Sequence, residues 1–324
     1  MNFVKRLFAA ALCIFALLSS ACGSDTSQSS GVSEVPEAKS EVQTLRVGLM
    51  PDIDSIPFII AQEKGFFKEE GVNVELEHFK SAMDRDSALQ SGNLDGAVSD
   101  MLAAGFAKEG GFDVKITSST NGNYCLVAGT ANQAQSLAQM QGQNISVSKN
   151  TIIEFVLDQM LSRSQMTESD INKTVIPQIP TRLEMLQSGQ LDAAVLPEPM
   201  GSIAVKNGSH MIDSSEQMKL NPGVMVFTAD SIKDKGDAIK AMYRAYDKAI
   251  DYINNTPQSE YMDLVIEKAG LPPAAKDALT MPKYFKASLP AQSDWDASIK
   301  WLNDKGLVKQ SFDYEDIVSD LLRR

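Results

Sequence analysis

Four carboxylates stand in short polar loops, each closing an apolar, strand-like run. Asp52 and Asp54 follow Leu45–Met50, Asp100 follows Leu94–Val98, and Glu198 follows Leu191–Leu196. Hydroxyl and amide side chains accompany them in the same loops or in similar ones: Ser55, Ser99, Asn121, Asn123, Ser148, Asn150 and Thr151. In open α/β sheets ligands bind beyond the carboxyl ends of the strands, where helix N-termini present unpaired N–H groups. The chemistry on offer is hydrogen bonding and charge recognition, not bond making. The histidines are His78 and His210, far from each other and from Cys125, and no Ser-His-Asp or Cys-His arrangement is apparent. No catalytic residue, metal or cofactor is therefore expected.

Each candidate also has a structural use. Asp54, Ser55 and Asn150 can cap the helices that follow them as readily as touch a ligand. Asn121-Gly122 reads as a turn. Glu198, fixed between Pro197 and Pro199, reads more as a ligand contact, because prolines hold a loop in place around one carboxylate. Phe58, Tyr124, Phe155 and Phe227 could wall a flat ring, although each also suits a core.

The elements that must position these loops come from a duplication. Residues 85–98 read RDSALQSGNLDGAV and residues 182–195 read RLEMLQSGQLDAAV, identical at nine of fourteen positions at an offset of 97. Each copy predicts a helix directing Leu89 or Leu186 to a core, a stop at Gly92 or Gly189, and a short buried strand. Upstream, the same offset aligns Leu45–Met50 with Gln143–Ser148, helix Ile56–Phe67 with Thr151–Leu161, and strand Val72–Phe79 with Lys173–Pro177. Each half reads β-α-β-α-β-α, so the expected fold class is α/β, two doubly wound lobes with mostly parallel sheets. Strand Val224–Phe227 and helices at 238–254, 259–269, 274–279, 293–305 and 313–322 complete the chain. The crossing from lobe one is expected near Val127–Gln141 and the return near Asn221–Phe227. These crossings make a two-segment hinge that divides the chain into lobe one, 44–127 and 222–324 with the C-terminal helices, and lobe two, 128–221.

The N-terminus reads as a leader over residues 1–21: Lys5 and Arg6, an apolar run to Leu18, then Ser19-Ser20-Ala21 before Cys22. That ending resembles a bacterial lipobox, which implies a lipid on Cys22 and an extracytoplasmic, membrane-anchored protein. Residues 22–43 are rich in Ser, Glu, Gly and Pro and read as a flexible tether. With 42 acidic against 30 basic side chains, the net charge is −12. That balance argues against nucleic acid and anionic lipid surfaces as partners. Cys125 is expected to be a buried, inert thiol, and the body a monomer.

Pro57-Phe58-Ile59-Ile60-Ala61-Gln62-Glu63-Lys64-Gly65-Phe66-Phe67 with Glu70-Gly71-Val72 resembles the opening of the nitrate/sulfonate/taurine/thiamine-precursor group of ABC substrate-binding proteins. Ile145–Glu154, and Arg182-Leu183-Glu184 through Gln190–Pro199, resemble its second lobe. The resemblance runs from about Leu45 to Phe227 and implies a periplasmic binding protein type II fold, a small-molecule solute, and ABC permease and ATPase partners. It leaves the ligand open. Among the loop charges, Asp52, Asp54, Asp100, Glu198 and nearby Glu154 face only Lys149. Anion sites use Arg, Lys, His or aimed N–H groups. A thiamine-precursor-like aminopyrimidine or another N–H-rich or cationic solute is therefore the first expectation. Nitrate, sulfonate or taurine-type anions are the alternative. An enzyme resembling thiamine-pyrimidine synthases, or a sensor-input binding protein, is the further alternative.

The lipidation expectation has a direct test. Cys22→Ala should move the protein from the membrane to the soluble fraction on cell fractionation; unchanged membrane association would remove Cys22 as the anchor.

Overall fold

The computed structural model describes residues 42–322. The expected leader, Cys22 and the tether as far as residue 41 lie outside the described residues.

The first half runs β1 (Thr44–Leu49), α1 (Ile56–Glu63), α2 (Phe66–Glu69), β2 (Asn73–His78), α3 (Ala82–Gln90), β3 (Gly96–Asp100), α4 (Met101–Glu109) and β4 (Val114–Ser119). The helix expected over Ile56–Phe67 is broken in two, because Gly65 adopts φ 77° and turns the chain left-handed after α1. The second half runs β5 (Tyr124–Ala128), β6 (Asn144–Val147), α5 (Ile152–Arg163), β7 (Asn172–Val175), α6 (Ile179–Gln187), β8 (Ala193–Pro197), α7 (Met200–Lys206) and β9 (His210–Ser214). The chain then returns through β10 (Gly223–Thr228) to α8 (Ala229–Asn255), α9 (Met262–Ala269), α10 (Ala275–Ala278), α11 (Gln292–Asp304) and α12 (Tyr314–Ile317).

The strands form two five-stranded sheets, ordered β2-β1-β3-β10-β4 and β7-β6-β8-β5-β9. In each sheet four strands share a direction and one opposes them, β10 in the first and β5 in the second. The α/β class and the mostly parallel pairing agree with the sequence reading. The repeated motif builds the same corner twice. Gly92 and Gly189 take φ 76° and 75° after α3 and α6. The repeated aspartate then pins the equivalent strands β1 and β6: Asp95 Oδ2 accepts from Arg46 N, and Asp192 Oδ2 from Asn144 N, both at 2.8 Å.

The first crossing lies earlier than expected. β5 pairs with β8 and β9, so the chain leaves the first sheet after Ser119 and has joined the second by Tyr124, not near Val127–Gln141. The return runs from Ser215 to Pro222, ahead of β10. β5 misleads because it is apolar on both faces, like any strand buried between helix layers. The helix expected at 313–322 ends after one turn, because Val318 bridges to Ile116 at the edge of the first sheet.

The C-terminal helices pack largely on the first sheet: α8 against α1 and β10, and α11 against α4. They also reach across. α10 meets α7, and the end of α11 meets α5 of the second sheet, where the Trp301 ring lies 5.7 Å edge-on to Phe155. Lys305 Nζ there donates to Glu154 Oε1, Asp158 Oδ2 and Glu168 Oε2 at 3.1, 2.9 and 2.9 Å. Along the facing rims Ile179 N donates to Lys80 O at 3.1 Å and Ile53 N to Glu198 O at 3.0 Å. Both apolar cores draw residues from both sheets. Among the described residues no helix is long and apolar enough to cross a membrane.

The repeat also contains a compensated difference. Gly96 in β3 pairs with Phe227 of β10, while its counterpart Ala193 pairs with Ala128 of β5. A Cβ on Gly96 would lie 2.5 Å from Val226 O and 2.6 Å from the Phe227 ring. Gly96→Ala should destabilise the protein by about 1–3 kcal/mol through overpacking, read as a lower midpoint of urea unfolding. An unchanged midpoint would mean that β10 can move away without cost.

Candidate functional site

A cavity of about 40 Å³ lies between the facing ends of the two sheets. The first lobe contributes Asp52, Arg85, Ser99 and Asp100, the second Ser148, Thr151 and Arg182, and Tyr124 of β5 stands at the crossing. By the rule that one water occupies about 10–15 Å³ in such a volume, there is room for about three water-sized groups. A wider groove of about 690 Å³ lies on the other side of the Ile53–Glu198 contact and is lined in part by Asn121, Asn123, Glu198, Glu216 and Lys283.

The expected site residues divide between these spaces. Asp52, Ser99, Asp100, Ser148 and Thr151 line the cavity. Asn121, Asn123 and Glu198 line the groove. Asp54, Ser55 and Asn150 are among the lining residues of neither space. Many of them are engaged within the fold. Ser55 Oγ accepts from Met50 N and donates to Asp52 Oδ1, both at 3.0 Å. Asn121 holds Tyr246 Oη and Phe285 N, and Asn123 holds Ser215 and Glu216. Asn150, at φ 57°, donates its N–H to Glu154 Oε2. Thr151 caps α5 by accepting from Ile153 N at 3.3 Å. The Glu198 carboxylate accepts from Ser202 N and Oγ at 3.0 and 2.9 Å, and the Cys125 thiol lies 3.5 Å away. Of the four aromatic candidates only Tyr124 reaches the cavity. Phe58 stacks on Tyr246, Phe155 meets Trp301, and Phe227 covers Gly96.

The expectation that Lys149 is the only cation facing the carboxylates is corrected by two arginines. Arg85 and Arg182 occupy the first position of the repeated motif, sit in the opening turns of α3 and α6, and line the cavity at 3% and 0% exposure. Each bonds the matching carbonyl of the following strand: Arg85 Nη1 donates to Val98 O at 3.3 Å, and Arg182 Nε to Val195 O at 2.8 Å. Their charges are treated differently. Arg85 donates to Asp86 Oδ1 at 2.9 Å, and its Nη2 lies 3.6 Å from Asp100 Oδ2. Burial alone would weaken its hold on the proton, but Asp86 and Asp100 more than offset this and keep its pKa raised. Among the described residues Arg182 has only carbonyl partners, with Nη1 on Ile176 O at 2.7 Å and Nη2 buried without one. Burial lowers its pKa to about 9, so it stays cationic at neutral pH. A buried cation without a counter-charge is costly and offers an anion unused donors.

Residues 38–266 match the NMT1-like family. The chain belongs to that family. The periplasmic aliphatic sulphonate binding protein SsuA from Escherichia coli superposes with a TM-score of 0.71 at 15% identity, over 86% of this chain and 92% of SsuA. The periplasmic nitrate-binding protein NrtA from Synechocystis PCC 6803 does so with a TM-score of 0.72 at 18% identity, over 87% and 88%. These likenesses show the periplasmic-binding-protein fold. A stretch of 67 residues, 21% of this chain, is 39% identical to the nitrate import ATP-binding protein NrtC of Synechococcus elongatus. The chain spans about a tenth of that protein's length. Neither these relatives nor the arginine-lined cavity supports the first expectation of a thiamine-precursor ligand.

A buried acid pair adjoins the cavity in this family member. Asp52 is pushed up to about 6 from the usual 3.8, chiefly by burial and against the lowering effect of Ser55. Asp54 is raised further, by burial and then by Asp52, and its Oδ1 has no hydrogen-bond partner. Both carboxyls bind a proton more tightly folded than unfolded. Their contribution to stability is therefore full below about pH 4 and is lost as the pH rises through the raised values. Asp54→Asn should raise Tm at pH 7.5 and change it little at pH 4.5, followed by calorimetry. A pH-independent difference would show that Asp54 is not carried protonated.

Proposed function

We propose that the chain is the solute-binding component of an importer and captures a small anion between its two lobes. The observation that supports this reading most directly is Arg182, a fully buried guanidinium that lines the cavity, with no hydrogen-bond partner on Nη2 and, among the described residues, no carboxylate within ion-pair distance. The relatives named for sulphonate, nitrate and nitrate import are consistent with such a ligand. Arg85, the hydroxyls of Ser99, Ser148 and Thr151, and the first turn of α5 would surround the anion, joining charge to aimed donors.

In this reading, residues 120–123 and 215–222 act as the hinge, and the two rims close on the solute. The partners are an ABC permease and its ATPase. The expected lipid on Cys22 would hold the protein outside the cytoplasm, beside the membrane. Glu198 lines the groove rather than the cavity and is held by Ser202, so in this reading it serves the local fold.

Titration calorimetry with nitrate and ethanesulfonate tests the reading. At least one should bind, and Arg182→Met should weaken it by about 1.5–3 kcal/mol, the worth of hydrogen bonds to a charged group. Binding that survives Arg182→Met, or aminopyrimidine binding with no response to any anion, would overturn the proposal.

A further inference from the structure

One ammonium group joins the two lobes beside the cavity without lining it. Lys305 closes the C-terminal end of α11, a helix seated on α4 of the first lobe. Its Nζ reaches Glu154 and Asp158 on α5 and Glu168 ahead of β7, all in the second lobe. The three carboxylates offer oxygens within 4.8 Å of one another, and Lys173 of the second lobe binds all three as well. Both ammonium groups hold down the mutual repulsion of the acids, and Lys305 and then Lys173 lower Glu168 to about 2. If α11 withdrew, only Lys173 of the two would remain, so the cluster is most stable with the lobes together. The same cluster is tied to the cavity. Glu154, 3% exposed, receives Lys305 on Oε1 at 3.1 Å and the Asn150 N–H on Oε2 at 2.6 Å. Asn150 is left-handed at φ 57°, a conformation unfavourable for a residue with a side chain, and this bond helps to hold it there. The residues that follow, Thr151, Ile152 and Ile153, open α5 and line the cavity.

We propose that Lys305 is a positioning residue for solute binding: from the first lobe it grips Glu154, and through Glu154 it sets both the approach of the lobes and the Asn150–Ile153 wall of the cavity. This inference rests on the reading that a solute is held between the lobes, and it adds to that reading a residue outside the cavity. Lys305 acts on affinity without touching the solute. It raises the fraction of molecules whose lobes are together before the solute arrives, and apparent affinity scales with that fraction. Lys173 shares the acids but not the role, because it joins them from within their own lobe.

Two backbone bonds report contact between the lobes directly, Ile53 N to Glu198 O and Ile179 N to Lys80 O. Amide hydrogen exchange without added solute would be read at Ile53, Ile179 and Asn150, and titration calorimetry would follow nitrate and ethanesulfonate. In Lys305→Met all three amides should exchange about tenfold faster. The anion that binds the wild type should bind that variant about tenfold more weakly. Lys305→Arg should restore both. Lys173→Met removes an ammonium from the same acids but leaves the bridge, so Ile53 and Ile179 should keep their wild-type exchange. Lys305→Gln gives the same reading if Lys305→Met folds poorly. Unchanged exchange at Ile53 and Ile179 on loss of Lys305, or an equal rise in Lys173→Met, overturns the role of Lys305. Faster exchange with undiminished anion affinity overturns its part in binding. If neither anion binds the wild type, the anion reading fails, while exchange at Ile53 and Ile179 still decides whether Lys305 holds the lobes together.

Discussion

Arg182 places a full positive charge where water does not reach, and the neighbouring architecture follows from holding it there. Its Nε and Nη1 are fixed by the carbonyls of Val195 and Ile176, one from the strand after its helix and one from the loop before it. Those carbonyls soften the burial of the charge without cancelling it, because carbonyl dipoles are not a counter-ion. The matching position in the first lobe takes the other course: Arg85 reaches the equivalent carbonyl of Val98 but also pairs with Asp86 and approaches Asp100. At the offset of 97, Leu183 and Pro197 stand where those acids would be. Duplication supplied two identical arms, and divergence of two acidic positions left one arm with uncompensated charge. Under the proposed anion-binding reading, that asymmetry places the recognition of charge on the second lobe.

Much of the scaffold was legible in the sequence, because the shared motif encodes a complete corner. Leu89 and Leu186 face the core, Gly92 and Gly189 supply the left-handed turn, and Asp95 and Asp192 tie down the neighbouring strand. The candidate site was legible only in part. Attention to strand-end loops found Asp52, Ser99, Asp100, Ser148 and Thr151, which do line the cavity. It passed over the arginines, which arrive from the first turn of the helix after the neighbouring strand and span the distance with long side chains. A signal was present. Arginine in the opening turn of a helix works against the helix dipole, and finding it there in both copies marks a residue kept for something other than helix stability. The first crossing was misplaced for a different reason: an apolar strand reads the same whichever sheet it joins.

The contacts that hold the lobes together are not spread evenly along their rims. On one side α11 is seated against α4 of the first lobe and extends Trp301 and Lys305 onto α5 of the second. Lys173, from the second lobe itself, binds the same three carboxylates, Glu154, Asp158 and Glu168. Two ammonium groups therefore serve three acids, and only one of them belongs to the other lobe. Glu154 also accepts the N–H of Asn150 at 2.6 Å, just before the α5 turn that lines the cavity. The Lys305 contact between the lobes and the loop before α5 thus share one carboxylate. A displacement of α11 would be felt at the cavity wall through two bonds rather than through the whole sheet.

The acid pair at the end of β1 gives the first lobe a different task. Asp54 is crowded by the crossing segment, where a Cβ on Gly122 would lie 2.7 Å from its Oδ2, and a second charge beside Asp52 would be costly there. Burial and the neighbouring Asp52 both favour the protonated form of Asp54, and Asp52 is the member of the pair that lines the cavity. The first lobe presents Asp52, Asp100 and Arg85 to the cavity and the second presents Arg182, each held by hydrogen bonds within its own lobe. Arg85 is held by Asp86 and Asp100, so among the described residues lining the cavity Arg182 is the cation with no carboxylate in ion-pair range.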